Sequence, residues 1–302
     1  MSTWELVLTQ GVNGLISGSF YALVALGYSM VYGIIKLLNF AHGDIYMTGA
    51  FVCLSVFGFV AGIMPLWAAL TVAVLASMIG AGLVGWLTQR LAYRPMLGAP
   101  RLSLLITAIG VSLVIMNAAM ELTNARPQFF ASGLDHRAGM DIGNITITYI
   151  QMVLLGVSAV SMIALSLYIK HARAGKAMRA IAMDKDTCLL MGINVKQTIG
   201  LTFVVGSALA AVAGSMACVY YGNVTFNMGY TIGIKAFTAA VIGGIGSIPG
   251  AMLGGLLLGL LEAAGTQMFG SMWQDAFAFG LLILILILRP NGLMGKSEVE
   301  RM

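Results

Sequence analysis

Apolar runs of about 20 residues, repeated along nearly the whole chain, constrain what this sequence can fold into more than any other feature. A helix of that length crosses the roughly 30 Å hydrocarbon core of a bilayer. In lipid only helices and closed barrels satisfy every backbone polar group. The runs are continuous instead of alternating in ten-residue segments, which excludes a barrel. The expected spans are Leu6 to Ile35, Ile45 to Met64, Pro65 to Leu87, Leu102 to Leu122, Thr148 to Ile169, Thr198 to Tyr220, Ile232 to Ile248, Gly250 to Met268 and Gln274 to Leu288. Pro65, Pro95, Pro100, Pro127, Pro249 and Pro290 all fall at or near segment ends, where a missing amide proton costs least. The expected fold is all-α: a polytopic membrane bundle of eight or nine transmembrane helices in a single domain over residues 1–302. The number is eight if the first run or Ile232 to Ile248 is re-entrant.

Composition agrees, since 59% hydrophobic and 9% charged residues, with a mean hydropathy of +0.94, leave too little polar surface to solvate a 302-residue globule. The 38 glycines suit close helix approach, as in Gly206, Ala210 and Gly214 or Gly250 and Gly254. Cys53, Cys188 and Cys218 lack metal spacing and read as packing residues, and His42, His136 and His171 are too scattered for a metal site. Gly295-Lys296-Ser297 imitates the end of a phosphate loop without its earlier glycine, and Gly243-Gly244-Ile245-Gly246 lacks the dinucleotide spacing. No enzyme activity, cofactor, metal or nucleic-acid partner is expected. No basic stretch precedes the first run, so it is expected to be retained.

Basic residues set the orientation, because they resist translocation in short loops. All of them except Lys36, Arg126, Arg137 and Lys235 lie in residues 88–101, in residues 170–197 or in the tail, which carries Arg289, Lys296 and Arg301. These three regions belong inside. The connection from Thr123 to Ile147 balances Arg126 and Arg137 with Asp135 and Asp141 and suits the outer face.

Polar residues within the oily segments mark a second theme. Asn39, His42 and Asp44 either line a gate or pathway, or sit near Lys36 at the cytoplasmic interface, where Asn39 or Asp44 caps the next helix. Lys235 and Glu262 are expected to be interfacial or mutually paired, or to face a translocation route. Tyr220, Tyr221, Tyr230, Trp67 and Trp273 read as an interfacial aromatic belt. Residues 18–51 and 222–255 echo one another, each placing a polar, glycine-marked break before a small-residue helix.

Residues 170–196, KHARAGKAMRAIAMDKDTCLLMGINVK, interrupt the oil with a basic, helix-forming insert. Met178, Ile181 and Ala182 recur at helical spacing, while Lys176 and Arg179 lie together elsewhere. Asp184 can cap a second helix, Lys185 to Met191, which Gly192 can end in a left-handed conformation. The pair is expected to lie in the cytoplasm and to present Cys188, Leu189, Leu190 and Met191.

GKAMRAIAMDKDTCLLMGINV, with NGLISGSFYALVALGYSMVYGIIKLLNFAHGDIYMTGAF near the N-terminus, resembles the permease subunits of bacterial ABC importers for branched-chain amino acids, in particular the smaller of their two permease types. The resemblance covers nearly the whole chain and departs from the usual pattern at Thr187 and Cys188. It implies a multi-pass inner-membrane subunit that forms a heterodimer with a sister permease, bound to two cytoplasmic ATPases and served by a periplasmic binding protein. It implies also that Gly175, Arg179, Asp184, Gly192 and Ile193 lie on the element that couples to the ATPase. Leucine, isoleucine and valine are the implied substrates, although close relatives carry urea or short amides. An ion-coupled secondary carrier is disfavoured because the acids cluster at segment ends.

Overall fold

The computed structural model describes residues 3–96, 98–131, 133, 138–142, 145–289 and 291–295. Asp135, His136, Arg137, Pro290, Lys296, Ser297 and Arg301, all used in the sequence reading, lie outside the described residues. Among the described residues, eight helices are long and apolar enough to cross a membrane. They are α1 (Thr3–Ile35), α2 (His42–Val60), α3 (Leu66–Leu87), α4 (Arg101–Leu122), α5 (Tyr149–His171), α8 (Val195–Tyr221), α10 (Ile248–Phe269) and α11 (Gln274–Leu288), which spans 18 residues together with the 3-10 turn Ser271–Trp273 before it. Between α5 and α8 stand the short helices α6 (Arg173–Met183) and α7 (Lys185–Leu190).

The remaining helix, α9 (Met228–Gly243), has 16 residues. At 1.5 Å per residue it reaches about 24 Å, short of the bilayer core. The expected span Ile232 to Ile248 is therefore displaced and too short to cross alone. Its expected end, Ile248, is the first residue of α10, and the Gly244–Ser247 break, where Gly244 and Gly246 have φ of 103° and 87°, interrupts the run before it. The other break in the internal echo precedes α2, where Lys36 ends α1 at φ 57°, a conformation a non-glycine residue rarely adopts.

Prolines keep their boundary role. Pro65 and Pro100 precede the first turns of α3 and α4, Pro249 lies in the first turn of α10, and Pro95 sits in the turn after α3. Beyond Leu87, α3 continues as a π-helical turn, Thr88–Tyr93, and a 3-10 turn, Arg94–Met96.

The connection between α4 and α5 is not irregular throughout. β1 (Gln128–Phe129) pairs antiparallel with β4 (Asn223–Val224), and β2 (Gly139–Ile142) pairs with β3 (Ile145–Thr148). The period-two, β-branched run Ile145-Thr146-Ile147-Thr148 carries that preference locally. The β1–β4 ladder joins the chain after α4 to the chain after α8, so those two ends share one face of the bundle.

Burial separates centre from rim. The apolar windows of α1 and α8 are 78% and 83% buried, whereas those of α4 and α11 are 11% and 6% buried. A helix apolar all round with an uncovered surface faces lipid in a membrane protein. The centre is closed by small residues. A side chain on Gly18 would come within 2.9 Å of Leu256 Cα, and one on Gly214 within 2.2 Å of the Tyr46 carbonyl. Backbones so close gain dispersion contacts that larger residues would forbid.

Candidate functional site

The break before α2 runs from the basic end, where Asn39 meets Tyr93, to the depth of mid-α4, where Asp44 meets Ser112. Ser112, midway along α4, donates its hydroxyl to Asp44 Oδ2 at 2.5 Å. Asp44 therefore lies beside the middle of a crossing helix, and α2 starts inside the bundle. Asn39, His42 and Asp44 are each 1% exposed. None of them caps α2, whose N-cap is Ala41 without a side-chain bond. The capping reading thus fails, because these side chains turn sideways onto neighbouring helices. Tyr93 donates to Asn39 Oδ1 at 3.0 Å, and the His42 ring meets the Tyr28 ring edge-on at 5.1 Å.

Glycine makes this arrangement possible. A side chain on Gly27 would strike the His42 ring, and one on Gly43 would lie 2.3 Å from the Gly229 carbonyl and 2.7 Å from Gly233 Cα. The first turn of α2 thus rests directly on the backbone of α9. Asn39 Nδ2, His42 Nε2 and Asp44 Oδ1 have no hydrogen-bond partner among the described residues. Buried donors and acceptors in that state cost about 1–3 kcal/mol each unless a solute or water meets them.

A second cluster joins α9 to α10 and α11. Lys235 Nζ lies 3.1 Å from Glu262 Oε1 and 2.9 Å from Asp275 Oδ1. Glu262 Oε2 accepts from the Tyr21 hydroxyl at 2.7 Å and from Gln274 Nε2 at 2.9 Å. Mutual pairing of Lys235 and Glu262 is what the sequence led us to expect. Asp275 at the start of α11 was not expected, since an acid at a helix start reads as an ordinary first-turn residue.

The insert folds as two helices at the basic end. Gly175 seats α6 against α5, for a side chain there would lie 2.5 Å from Ile169 Cα. Met178 and Ile181 are buried. Arg179 donates to the Lys170 carbonyl at 3.2 Å, satisfying a free acceptor in the last turn of α5. Asp184 caps α7 through the amides of Asp186 at 2.9 Å and Thr187 at 3.1 Å, and it also accepts the Thr187 hydroxyl. That hydroxyl, with the two amides, holds the Asp184 carboxyl below its ordinary range. Gly192 ends the unit at φ 78°.

The residues carried over by resemblance divide into two groups. Gly175 and Ile193 face inward, whereas Arg179, Asp184 and Gly192 are exposed. Cys188, expected on the presented surface, is 6% exposed and packs with Ile181, Val195, Ile199 and Phe203. The surface consists instead of Met183, Leu189, Leu190 and Met191, which are 90%, 54%, 88% and 78% exposed. The aromatic belt is likewise partial. Trp67, Tyr221, Tyr230 and Trp273 are exposed, but Tyr220 packs edge-on against Phe20 and donates to Asn13 at 3.3 Å.

Residues 11–286 match the family described as branched-chain amino acid transport system / permease component. The chain belongs to this permease family. It is 45% identical over 299 residues to the high-affinity branched-chain amino acid transport system permease protein BraD of Pseudomonas aeruginosa, covering 97% of each chain. It is 41% identical over 300 residues to LivH of Escherichia coli K12, again covering 97% of each. A partial match, 31% identical over 156 residues, links 48% of this permease to 41% of the fructose import permease protein FrcC of Rhizobium meliloti. Among solved structures, PsaBC from Streptococcus pneumoniae in complex with Fab aligns at a TM-score of 0.48 and 13% identity, covering 92% of this permease and 91% of that chain.

In this permease the candidate pathway residues form two groups, Asn39, His42 and Asp44 at and just before the start of α2, and Lys235 of α9 with Glu262 of α10. Tyr93, Ser112, Tyr21 and Gln274 complete them and escaped sequence reasoning. A serine midway along the apolar run of α4 was the available signal for Ser112.

Proposed function

We propose that this permease is the membrane-spanning subunit of an ATP-driven importer of branched-chain amino acids in the bacterial inner membrane. In this reading residues 1–302 form one permease domain, and residues 170–197 are its cytoplasmic coupling insert. The other parts of the machine are a sister permease, two cytoplasmic ATPases and a periplasmic binding protein, and the permease itself hydrolyses nothing. Identity over 97% of the BraD and LivH chains supports the substrate class.

The observation that carries the mechanism is the apolar tip of Met183, Leu189, Leu190 and Met191 on a helix pair fastened to the bundle. Exposed apolar residues outside the bilayer mark a protein contact. A separate ATPase can do work on a membrane subunit only through a rigid element, and its two states must contact that element differently. Behind the tip, Ile181 and Cys188 share one apolar cluster with Phe203 and Tyr93. The Tyr93 and Phe203 rings lie 5.2 Å apart, and the Tyr93 hydroxyl reaches Asn39. Displacement of the tip therefore has a packed route to the start of α2, where the unpartnered groups of Asn39, His42 and Asp44 suit a polar step in the pathway.

The test is Leu190→Glu combined with Met191→Glu in the assembled transporter. Both side chains are solvent-exposed, so folding and membrane level should hold while ATPase capture and ATP-dependent leucine uptake are lost. Capture and uptake at normal levels would overturn the coupling assignment. Normal capture with ATP-dependent uptake of urea, and none of leucine, would overturn the substrate class alone.

A further inference from the structure

Between the basic end of α3 and the start of α8 lies a pocket of about 450 Å³ that neither the α2 break nor the α6–α7 pair uses. Arg90, Arg94 and Lys196 line it, and none of its described lining residues is acidic. Arg90 is held over the Trp86 ring, 4.9 Å from its centroid, which fixes the guanidinium in place. Gln89 lines the same pocket while only 3% exposed, and its amide nitrogen has no hydrogen-bond partner among the described residues. A buried donor of that kind calls for an acceptor. The 27-residue helix α8 also starts here, adding the positive end of its dipole.

The pocket does not end at its polar wall. Trp86 and Val204 belong also to a second, apolar groove of about 550 Å³ on the same seam, bounded by Met78, Ile79 and Leu83. The seam therefore offers cations and a buried, unpartnered amide donor at its basic end and an apolar groove farther along the same two helices. A free inorganic anion would use only the first half.

We propose that this seam binds one anionic glycerophospholipid. Its phosphate meets Arg90, Arg94, Lys196 and the Gln89 amide, and an acyl chain lies along Met78, Leu83 and Val204. Basic pockets at the cytoplasmic ends of transmembrane helices recognise such headgroups. Because α8 follows directly from the α6–α7 unit, a lipid bridging α3 and α8 holds two helices whose relative position the coupling unit would set.

Native mass spectrometry of the delipidated full-length chain, titrated with dioleoyl-phosphatidylglycerol or dioleoyl-phosphatidylcholine, tests this. Wild type should retain one phosphatidylglycerol in preference to phosphatidylcholine, and millimolar inorganic phosphate should not displace it. Each cation removed should lower retention about fivefold, so Arg90→Ala/Arg94→Ala/Lys196→Ala should lose on the order of a hundredfold. Val204→Trp, which fills the junction while sparing every cation, should also lose the lipid. Circular dichroism and thermal unfolding of each variant identify any that fails to fold, and the other then decides. Equal retention of the two lipids, displacement by phosphate, or full retention by both folded variants would overturn the proposal.

Discussion

Replacing Glu262 by methionine should destabilise the permease far more than replacing its exposed neighbour Asp275 by asparagine. Glu262 is 2% exposed and holds three groups: the Lys235 ammonium, the Tyr21 hydroxyl and the Gln274 amide. Without it, Lys235, whose side chain is 8% exposed, keeps only Asp275, which is 64% exposed. Removing one member of a buried ion pair costs about 3–5 kcal/mol, and an orphaned buried hydroxyl adds about 1–3 kcal/mol. The surviving Asp275 contact offsets at most about 1 kcal/mol of this, so a net loss of at least about 3 kcal/mol is expected for Glu262→Met. Asp275→Asn removes only a solvent-screened contact and should cost at most about 1 kcal/mol. Lys235→Met/Glu262→Met removes both buried charges and should recover about 2 kcal/mol relative to Glu262→Met, since apolar groups of similar volume can replace a buried pair. The assay is equilibrium unfolding of the purified protein in mixed micelles, followed by tryptophan fluorescence. Stability equal to Asp275→Asn in the Glu262→Met variant, or no recovery in the double variant, would refute the argument that the cluster is electrostatically dry.

Other outcomes follow from the same contacts. Gly43→Ala places a methyl group against the Gly229 carbonyl and Gly233 Cα, so it should lower stability by about 1–3 kcal/mol and reduce uptake. Gly110→Ala, with nothing within 4 Å, should leave both unchanged in the same assays. Tyr93→Phe keeps the ring against Phe203 but removes the bond to Asn39. It should therefore retain ATPase capture while slowing uptake per ATP hydrolysed, and an unchanged ratio would detach Tyr93 from the coupling route. Gly192→Pro cannot adopt φ 78° and loses the amide that donates to Leu189 at 3.1 Å. It should abolish uptake with the protein still in the membrane, as judged by immunoblotting of membrane fractions, and Arg179→Glu should do the same by freeing the end of α5. A single cysteine at Leu190, in a chain lacking Cys53, Cys188 and Cys218, should react with membrane-impermeant maleimide only in inverted vesicles. Labelling in intact cells would reverse the proposed orientation.

Local and one-dimensional properties were legible without a structure. Apolar run length gives the spans because the bilayer imposes a fixed thickness on any helix that crosses it. Asp184 and Gly192 could be placed as cap and stop because capping depends on bonds two or three residues away. The Lys235–Glu262 pair was guessable because two buried charges of opposite sign in lipid need one another. What only the tertiary structure decided is depth and direction. An oily sequence does not say whether a polar residue lies at the interface or midway, so capping stayed open for Asn39 and Asp44 until the structure turned Asn39 onto Tyr93 and set Asp44 against Ser112 beside the centre of α4. Nor does helical spacing say which side of a short amphipathic helix the bundle covers. Cys188 is hidden and Met183 bare because the α5–α6 junction, closed at Gly175, rotates the unit onto Phe203. Chain length and hydropathy fix what crosses the membrane, and contacts between residues distant in sequence fix what each polar side chain meets there.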